Sequence, residues 1–325
     1  MMCRQLLVAA CVLGFSLVVQ AARPEMSYPS LREVQNSSLQ TQLEQRLKRL
    51  NLDAAVRQGQ LAVSLVDVTD PQHPQLAQVN GDDMVYAASL PKIAILLAVC
   101  ERIHEGKLTL NDELRGVMTN MIRHSSNSAA TDLIRRVGHE YINQVLTSPK
   151  YRLYDTRTNG GLWVGKEYAQ GVADQRDPLH NLSHGATAYQ VARFYYLLET
   201  EQLASPDLSR EMKAIMGDPA IHHKFVKGLM NTPDAQIYRK SGTWQNWHAD
   251  SAIVEHAGRT YIAVGLAESP QGGEWLKNLI GELDKIILSQ PVRTAQLGSG
   301  LATARAGASQ KSGARLKSSS AERLM

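Results

Sequence analysis

The sequence predicts an α+β fold, an α/β sandwich in which one antiparallel sheet is flanked by the first and last helices, with an all-helical lobe beside it. Three observations predict it. Strand-like segments gather near the two ends of the chain, and helix-like segments fill its middle. Residues 93–100, Ile-Ala-Ile-Leu-Leu-Ala-Val-Cys, are apolar on every face, which requires a helix buried inside a domain. An amphipathic stretch over 275–288 closes the folded part. A cleft between sheet and lobe is the natural place for a site.

The 325 residues allow one large domain or two small ones, and 43% apolar content is ample for a core. Residues 1–21 read as a secretory signal: Arg4, an apolar run over 6–19, then Val19-Gln20-Ala21 for cleavage. That run is too short to span a membrane comfortably, so no stable insertion is expected. Val8-Ala9-Ala10-Cys11 loosely resembles a lipoprotein box, but apolar residues continue beyond Cys11. Cys3 and Cys11 leave with the signal, so only Cys100 remains and no internal disulfide can form. Cys100 lies in the apolar helix and reads as a core residue.

The formal net charge is +4, but residues 291–325 contribute +5 and Arg4 one more, which leaves residues 22–290 at −2. The folded part therefore carries no nucleic-acid signature. The basic tail, rich in Ser, Ala, Gly and Arg, reads as disordered. The expected division is signal 1–21, a hydrolase-sized domain 22–290 and tail 291–325.

Element by element, Ser38 can cap a helix carrying Leu39, Leu43, Leu47 and Leu50 on one stripe. Residues 61–68 and 76–79 read as strands around the Asp70-Pro71 turn, and Asn80-Gly81 ends the second. The buried helix follows. Pro91 fits only its first turn, which places Ser89 at its N-terminus and Lys92 three residues on. Helical pieces run from about 114 to 145, broken at 124–127. Residues 148–184 look irregular, and long loops of that kind are usually functional. Helices over 187–199 and 209–216, a strand over 237–241, and a hairpin of 250–255 with 260–266 around Ala257-Gly258 complete the order.

Three short motifs carry chemistry. A serine becomes a nucleophile when a base takes its proton, and Lys92 shares a helix face with Ser89. Burial lowers a lysine pKa toward what that role needs, and the helix N-terminus offers free N–H groups to an oxyanion. Ser125-Ser126-Asn127 sits at a break between helices, where Ser and Asn also serve as caps. Lys240-Ser241-Gly242-Thr243 lies on a strand, where a glycine lets the backbone approach a ligand. The first two motifs are 36 residues apart and the last two 115.

In this order and spacing the trio resembles the serine β-lactamase and penicillin-binding protein superfamily, closest to the class A β-lactamases. The resemblance covers roughly residues 38–288. It implies the β-lactamase/transpeptidase fold, with Ser89 as acylated nucleophile and Lys92 as its base or proton relay. It implies Ser125 as donor to the leaving nitrogen, Asn127 as partner of the substrate amide, and Lys240 and Ser241 as holders of the substrate carboxylate. Gly242 would let the strand close on the substrate, and the N–H groups of Ser89 and Thr243 would form the oxyanion hole.

Ser126 stands where the family has Asp, and Ser241 where it has Thr. For the deacylating carboxylate Glu167 is preferred over Asp174, although Gly171 follows Glu167 and Pro178 follows Asp174 at the spacing where the family has Asn; an exposed loop carboxylate is the competing reading. Without a positioned base the chain would behave as a penicillin-binding peptidase. His222-His223 could hold a metal, though adjacent histidines on a polar segment are usually solvated. His248 and His256 could line the cleft or sit on the surface, and Trp244 and Trp247 could wall the site or pack in the core.

The resulting expectation is a periplasmic, monomeric serine hydrolase that opens β-lactams through Ser89. No cofactor and no metal are expected. The partner would be a small β-lactam or a peptidoglycan peptide, with no nucleic acid. The alternatives are a D-Ala-D-Ala carboxypeptidase or transpeptidase, and a non-catalytic cell-wall-binding module.

Overall fold

The computed structural model describes residues 27–291; the signal over 1–21 and all of the basic tail beyond Pro291 lie outside the described residues. Helix α1 (Ser37–Arg49) is capped by Asn36, whose side chain accepts from the Leu39 N–H at 2.8 Å, so the cap lies two residues before the expected Ser38. Leu39, Leu43 and Leu47 are its buried stripe, and Leu50 ends the helix. A short α2 (Asp53–Arg57) leads into β1 (Leu61–Asp67) and β2 (Gln75–Val79). A two-residue β3 (Val85–Tyr86) brings the chain to Ser89.

The buried helix α3 (Lys92–His104) is fully inside from Lys92 to Glu101. Ser89, Leu90 and Pro91 form a tight turn ahead of it, bonded Lys92 N–H to Ser89 O at 3.3 Å and Ile93 N–H to Leu90 O at 3.2 Å. The helical lobe continues as α4 (Asp112–Arg123), α5 (Asn127–Val137) and α6 (His139–Thr147). Gly138, at φ +92°, splits α5 from α6. The stretch expected to be irregular holds three short strands, β4 (Tyr154–Asp155), β5 (Gly160–Gly161) and β6 (Trp163–Val164), before β7 (His184–Ala186).

Then come α7 (Ala188–Glu199), α8 (Pro206–Met216) and α9 (Phe225–Gly228). Helix α8 begins three residues before the expected start, because Ser205 caps it and Pro206 takes its first position. Strands β8 (Gln236–Trp244), β9 (Trp247–His256) and β10 (Arg259–Glu268) are longer than expected, and α10 (Gly272–Leu288) ends the folded part.

The main sheet runs β2-β1-β10-β9-β8 and is antiparallel, so the two ends of the chain meet at its centre, with Leu61 opposite Ala267. Two cores follow from the two-residue period of a strand. Leu61, Val63, Leu65, Tyr261 and Ala263 face the α1–α10 layer, where Leu43, Leu279 and Leu283 are fully buried. Ala62, Val66, Ile262 and Val264 face α3, α7 and the helical lobe. A strand with cover on both faces reads as a continuous apolar run, which is how β1 reads. Strand β8 is one of the two edges of this sheet and packs against α4 and α8 of the lobe. Among the described residues no helix is long and apolar enough to cross a membrane.

Candidate active site

The β8 edge closes on the turn that carries Ser89. A Cβ placed on Gly242 would lie 2.3 Å from the Ala87 carbonyl and 2.8 Å from the Ser89 nitrogen. Only glycine permits that approach. Ala88 holds φ +50°, as does Lys224, and Ser125 holds φ +55°, so three non-glycine residues at this place adopt the positive φ that favours glycine. Each costs on the order of 1 kcal/mol, an outlay that persists where surrounding packing over-determines the backbone.

Ser125 lies in the turn between α4 and α5, and two buried lysines converge on it. Lys92, fully buried, donates to the Ser125 carbonyl at 2.6 Å and the Asn127 amide oxygen at 2.7 Å, with the Ser125 hydroxyl at 3.4 Å. Lys240 donates to the Ser125 hydroxyl at 2.9 Å and to the Ser241 carbonyl at 2.6 Å. The structure therefore brings Ser89, Lys92, Ser125, Asn127, Lys240, Ser241, Gly242 and Thr243 to one place. One expected contact differs: the Lys92 ammonium bonds Ser125 and Asn127, and no hydrogen bond joins it to the Ser89 hydroxyl. The tight turn before α3 sets Ser89 outside the regular helix, and such contacts commonly tighten only when substrate is bound.

Burial drives the electrostatics. It lowers the Lys92 pKa to about 7, so near neutrality a large share of the amine is free to take a proton. Burial, with the charges of Lys92 and Arg239 next in weight, holds Lys240 well below the usual lysine range. A third ammonium, Lys224, donates to the Gly242 carbonyl at 2.6 Å, the Thr243 hydroxyl at 2.7 Å and the Ala249 carbonyl at 3.1 Å. Burial lowers it to about 8. Among the described residues none of the three ammoniums has a carboxylate partner.

The strand carrying Lys240 is fixed from behind by a buried ion pair. Arg239 reaches Asp250 with two nitrogens, at 2.7 and 2.8 Å, and both side chains are almost wholly buried. The Ser251 hydroxyl also donates to the Lys240 carbonyl at 2.9 Å. Ser126, in the place of the expected Asp, caps α5 by accepting the Ala129 N–H at 3.1 Å. Lys224, Arg239 and Asp250 were not singled out in the sequence; the place of Arg239 directly before Lys240 is the one local cue it carries.

Glu167 is not brought to this group. Its carboxylate is gripped by Arg135 of α5 through two bonds of 2.7 Å, and Arg135 holds its pKa below the usual range. The expectation of a deacylating Glu167 gains no support from that geometry: its carboxylate is committed to the Arg135 guanidinium near the surface and makes no hydrogen bond to Ser89 or Lys92. The next residue takes the inward position. The Tyr168 ring lies 4.5 Å from the Lys92 ammonium, and its phenol donates to the Ala88 carbonyl at 3.1 Å. Tyr168 stacks on His184, with centroids 4.2 Å apart and planes 2° apart. Neither ring nitrogen of buried His184 has a partner among the described residues, and burial lowers its pKa to about 3. The His184 carbonyl accepts the Ala87 N–H at 3.0 Å, tying the same residue to the chain entering the Ser89 turn.

Trp244, 58% exposed, stands at the end of β8 directly after Thr243. Trp247 faces it across the hairpin and meets Tyr86 edge-on at 6.2 Å. Arg239 donates to the His223 Nδ1 at 2.9 Å, while His222 is exposed. His256 pairs with Asp284 of α10, away from the motif residues. Cys100 is fully buried, and burial pushes its thiol pKa up.

The sheet, the helical lobe and the three motifs meeting at Ser125 define a serine β-lactamase and penicillin-binding protein fold. The sequence pattern of the Beta-lactamase enzyme family matches residues 42–116 and 113–290, and the chain belongs to that family. Solved structures agree on the fold. A β-lactamase from Sphaerobacter thermophilus DSM 20745 superposes with a TM-score of 0.59 at 18% identity, over 76% of this chain and 99% of that one. PBP-A superposes with a TM-score of 0.58 at 20% identity, over 80% and 98%. A variant of PBP-A, in an acyl-enzyme complex with penicillin G, gives 0.58 at 19% identity, over 77% and 96%. No curated protein matches the chain at the sequence level.

Proposed function

We propose that this chain is an exported serine acyl-transfer hydrolase whose Ser89 is acylated by β-lactams. The observation that carries the reading is the pair of buried lysines meeting at Ser125 beside Ser89. In this account neutral Lys92 takes the Ser89 proton, directly or through Ser125, and the Ser89 oxygen attacks the lactam carbonyl. The oxyanion accepts from the Ser89 and Thr243 N–H groups, an arrangement worth about 3–4 kcal/mol per donor in other hydrolases. The C–N bond breaks, and the Ser125 hydroxyl passes its proton to the nitrogen. Lys240, Ser241 and the Thr243 hydroxyl, already held by Lys224, receive the substrate carboxylate; Asn127 meets the side-chain amide. Export to the periplasm rests on Arg4 and the apolar run over 6–19.

The second reading, a D-Ala-D-Ala peptidase that β-lactams acylate and leave slowly, is favoured over a fast β-lactamase by the Arg135 grip on Glu167. Incubation with penicillin G, following both free antibiotic and the protein-bound adduct, separates the two. Slow consumption with a lasting adduct, together with cleavage of a D-Ala-D-Ala peptide, supports the peptidase. Rapid consumption of many equivalents supports the β-lactamase. Reversible binding that survives Ser89→Ala, with no adduct, supports the non-catalytic module and overturns both.

A further inference from the structure

We propose that Tyr168 sets the lifetime of the Ser89 ester by keeping water from the Lys92 side of the acyl carbonyl. The inference rests on Ser89 being the acylated nucleophile.

Deacylation joins a water oxygen to the acyl carbon and breaks the bond from that carbon to the Ser89 oxygen. One water proton returns to Ser89, and the other stays with the product acid. A base beside the carbonyl must hold the water for this to be fast. The described residues offer no carboxylate there, because Glu167 belongs to Arg135 and Asp250 to Arg239. The Lys92 amine is the group left to do it. Two of its contacts are Ser125 and Asn127, and the Tyr168 ring covers it at 4.5 Å.

Tyr168 is not placed to act as the base itself. Its proton is donated to the Ala88 carbonyl, and burial keeps the phenol neutral far above pH 7. Its position is held from three sides: Ala88 one residue before the nucleophile, the Lys92 ammonium, and the parallel ring of His184. The imidazole keeps this stack while both of its nitrogens go without a partner among the described residues, which marks it as a backing plate for Tyr168. Tyr168 is thus a positioning residue: it acts on the ester through what it excludes and through the dryness it gives Lys92.

The test uses the mature chain loaded with penicillin G, freed of excess antibiotic and followed by intact-protein mass. Tyr168→Ala is expected to shorten adduct lifetime at least tenfold. Tyr168→Phe, which keeps the ring, is expected to stay within twofold of the parent. The pH midpoint of acylation should move upward in Tyr168→Ala as water reaches Lys92, a change that loss of packing alone would not produce. Tyr168→Gln, which keeps side-chain length but brings a polar amide that holds water, carries the same expected shortening should the alanine variant fail to fold. Adducts of Tyr168→Ala and Tyr168→Gln that last as long as the parent's overturn the role of Tyr168 alone. A parent protein that takes up no penicillin G overturns the acyl-enzyme reading and this inference with it.

Discussion

Lys92 can be a base because of where its stem runs. The first eight residues after it are apolar and buried, so its ammonium has lost water without gaining a carboxylate. Its pKa of about 7 lies below the ordinary lysine value, so the neutral amine grows as pH rises through 7 and acylation should rise with it, reaching half its plateau near pH 7. Stopped-flow acylation between pH 5 and 9 checks this, and Lys92→Ala should lose at least a thousandfold. The residues of this chemistry were legible, because Ser-x-x-Lys before an apolar run already implies a desolvated lysine. Glu167 was singled out and Tyr168 was not. Spacing marks a place along a loop, but which of two neighbours turns inward depends on partners such as Arg135 that lie far off in sequence. Glu167→Gln should therefore leave both acylation and adduct lifetime within twofold of the parent, read by the same mass time course.

Strand β8 and the Ser89 turn act as one element. Gly242 has no room for even a methyl group against Ala87 and Ser89. Gly242→Ala should push the strand back, cost about 1–3 kcal/mol in urea unfolding and lower the acylation rate at least a hundredfold. The glycine was legible as a point of close approach; its partner was not, since no local pattern says which backbone a strand will meet. The Arg239–Asp250 pair was hidden for a related reason. Arg239 lies opposite Ala252, so Asp250 is its diagonal neighbour on the same face, but only across a hairpin whose Gln245-Asn246 turn lacks glycine or proline. Where caps follow common chemistry, as with Ser205-Pro206 before α8, the signal was present in the sequence and simply longer than the segment expected.

At the scale of the molecule, the sheet separates two cores with different duties. One side buries α1 and α10 and holds the two ends of the fold together; the other carries the helical lobe and the site. Leu283→Ala, in the α10 layer, should cost about 2–5 kcal/mol in urea unfolding while the folded protein acylates at the parent rate. The order of strands and helices made this architecture readable from the sequence, because apolar periods of two and of three to four leave few ways to cover both faces of one sheet. Two small sheets, β3-β7-β6 and β4-β5, were not readable, as strands of two or three residues carry no period. What the architecture achieves is a meeting point for Ser89, Lys92, Ser125 and Lys240, drawn from three separate stretches of chain, with both lysines buried. The most direct test is intact-protein mass after brief exposure to penicillin G, for the parent and for Ser89→Ala. The account predicts one added penicillin on the parent and none on the variant. An adduct of equal extent on both, or on neither, would contradict it.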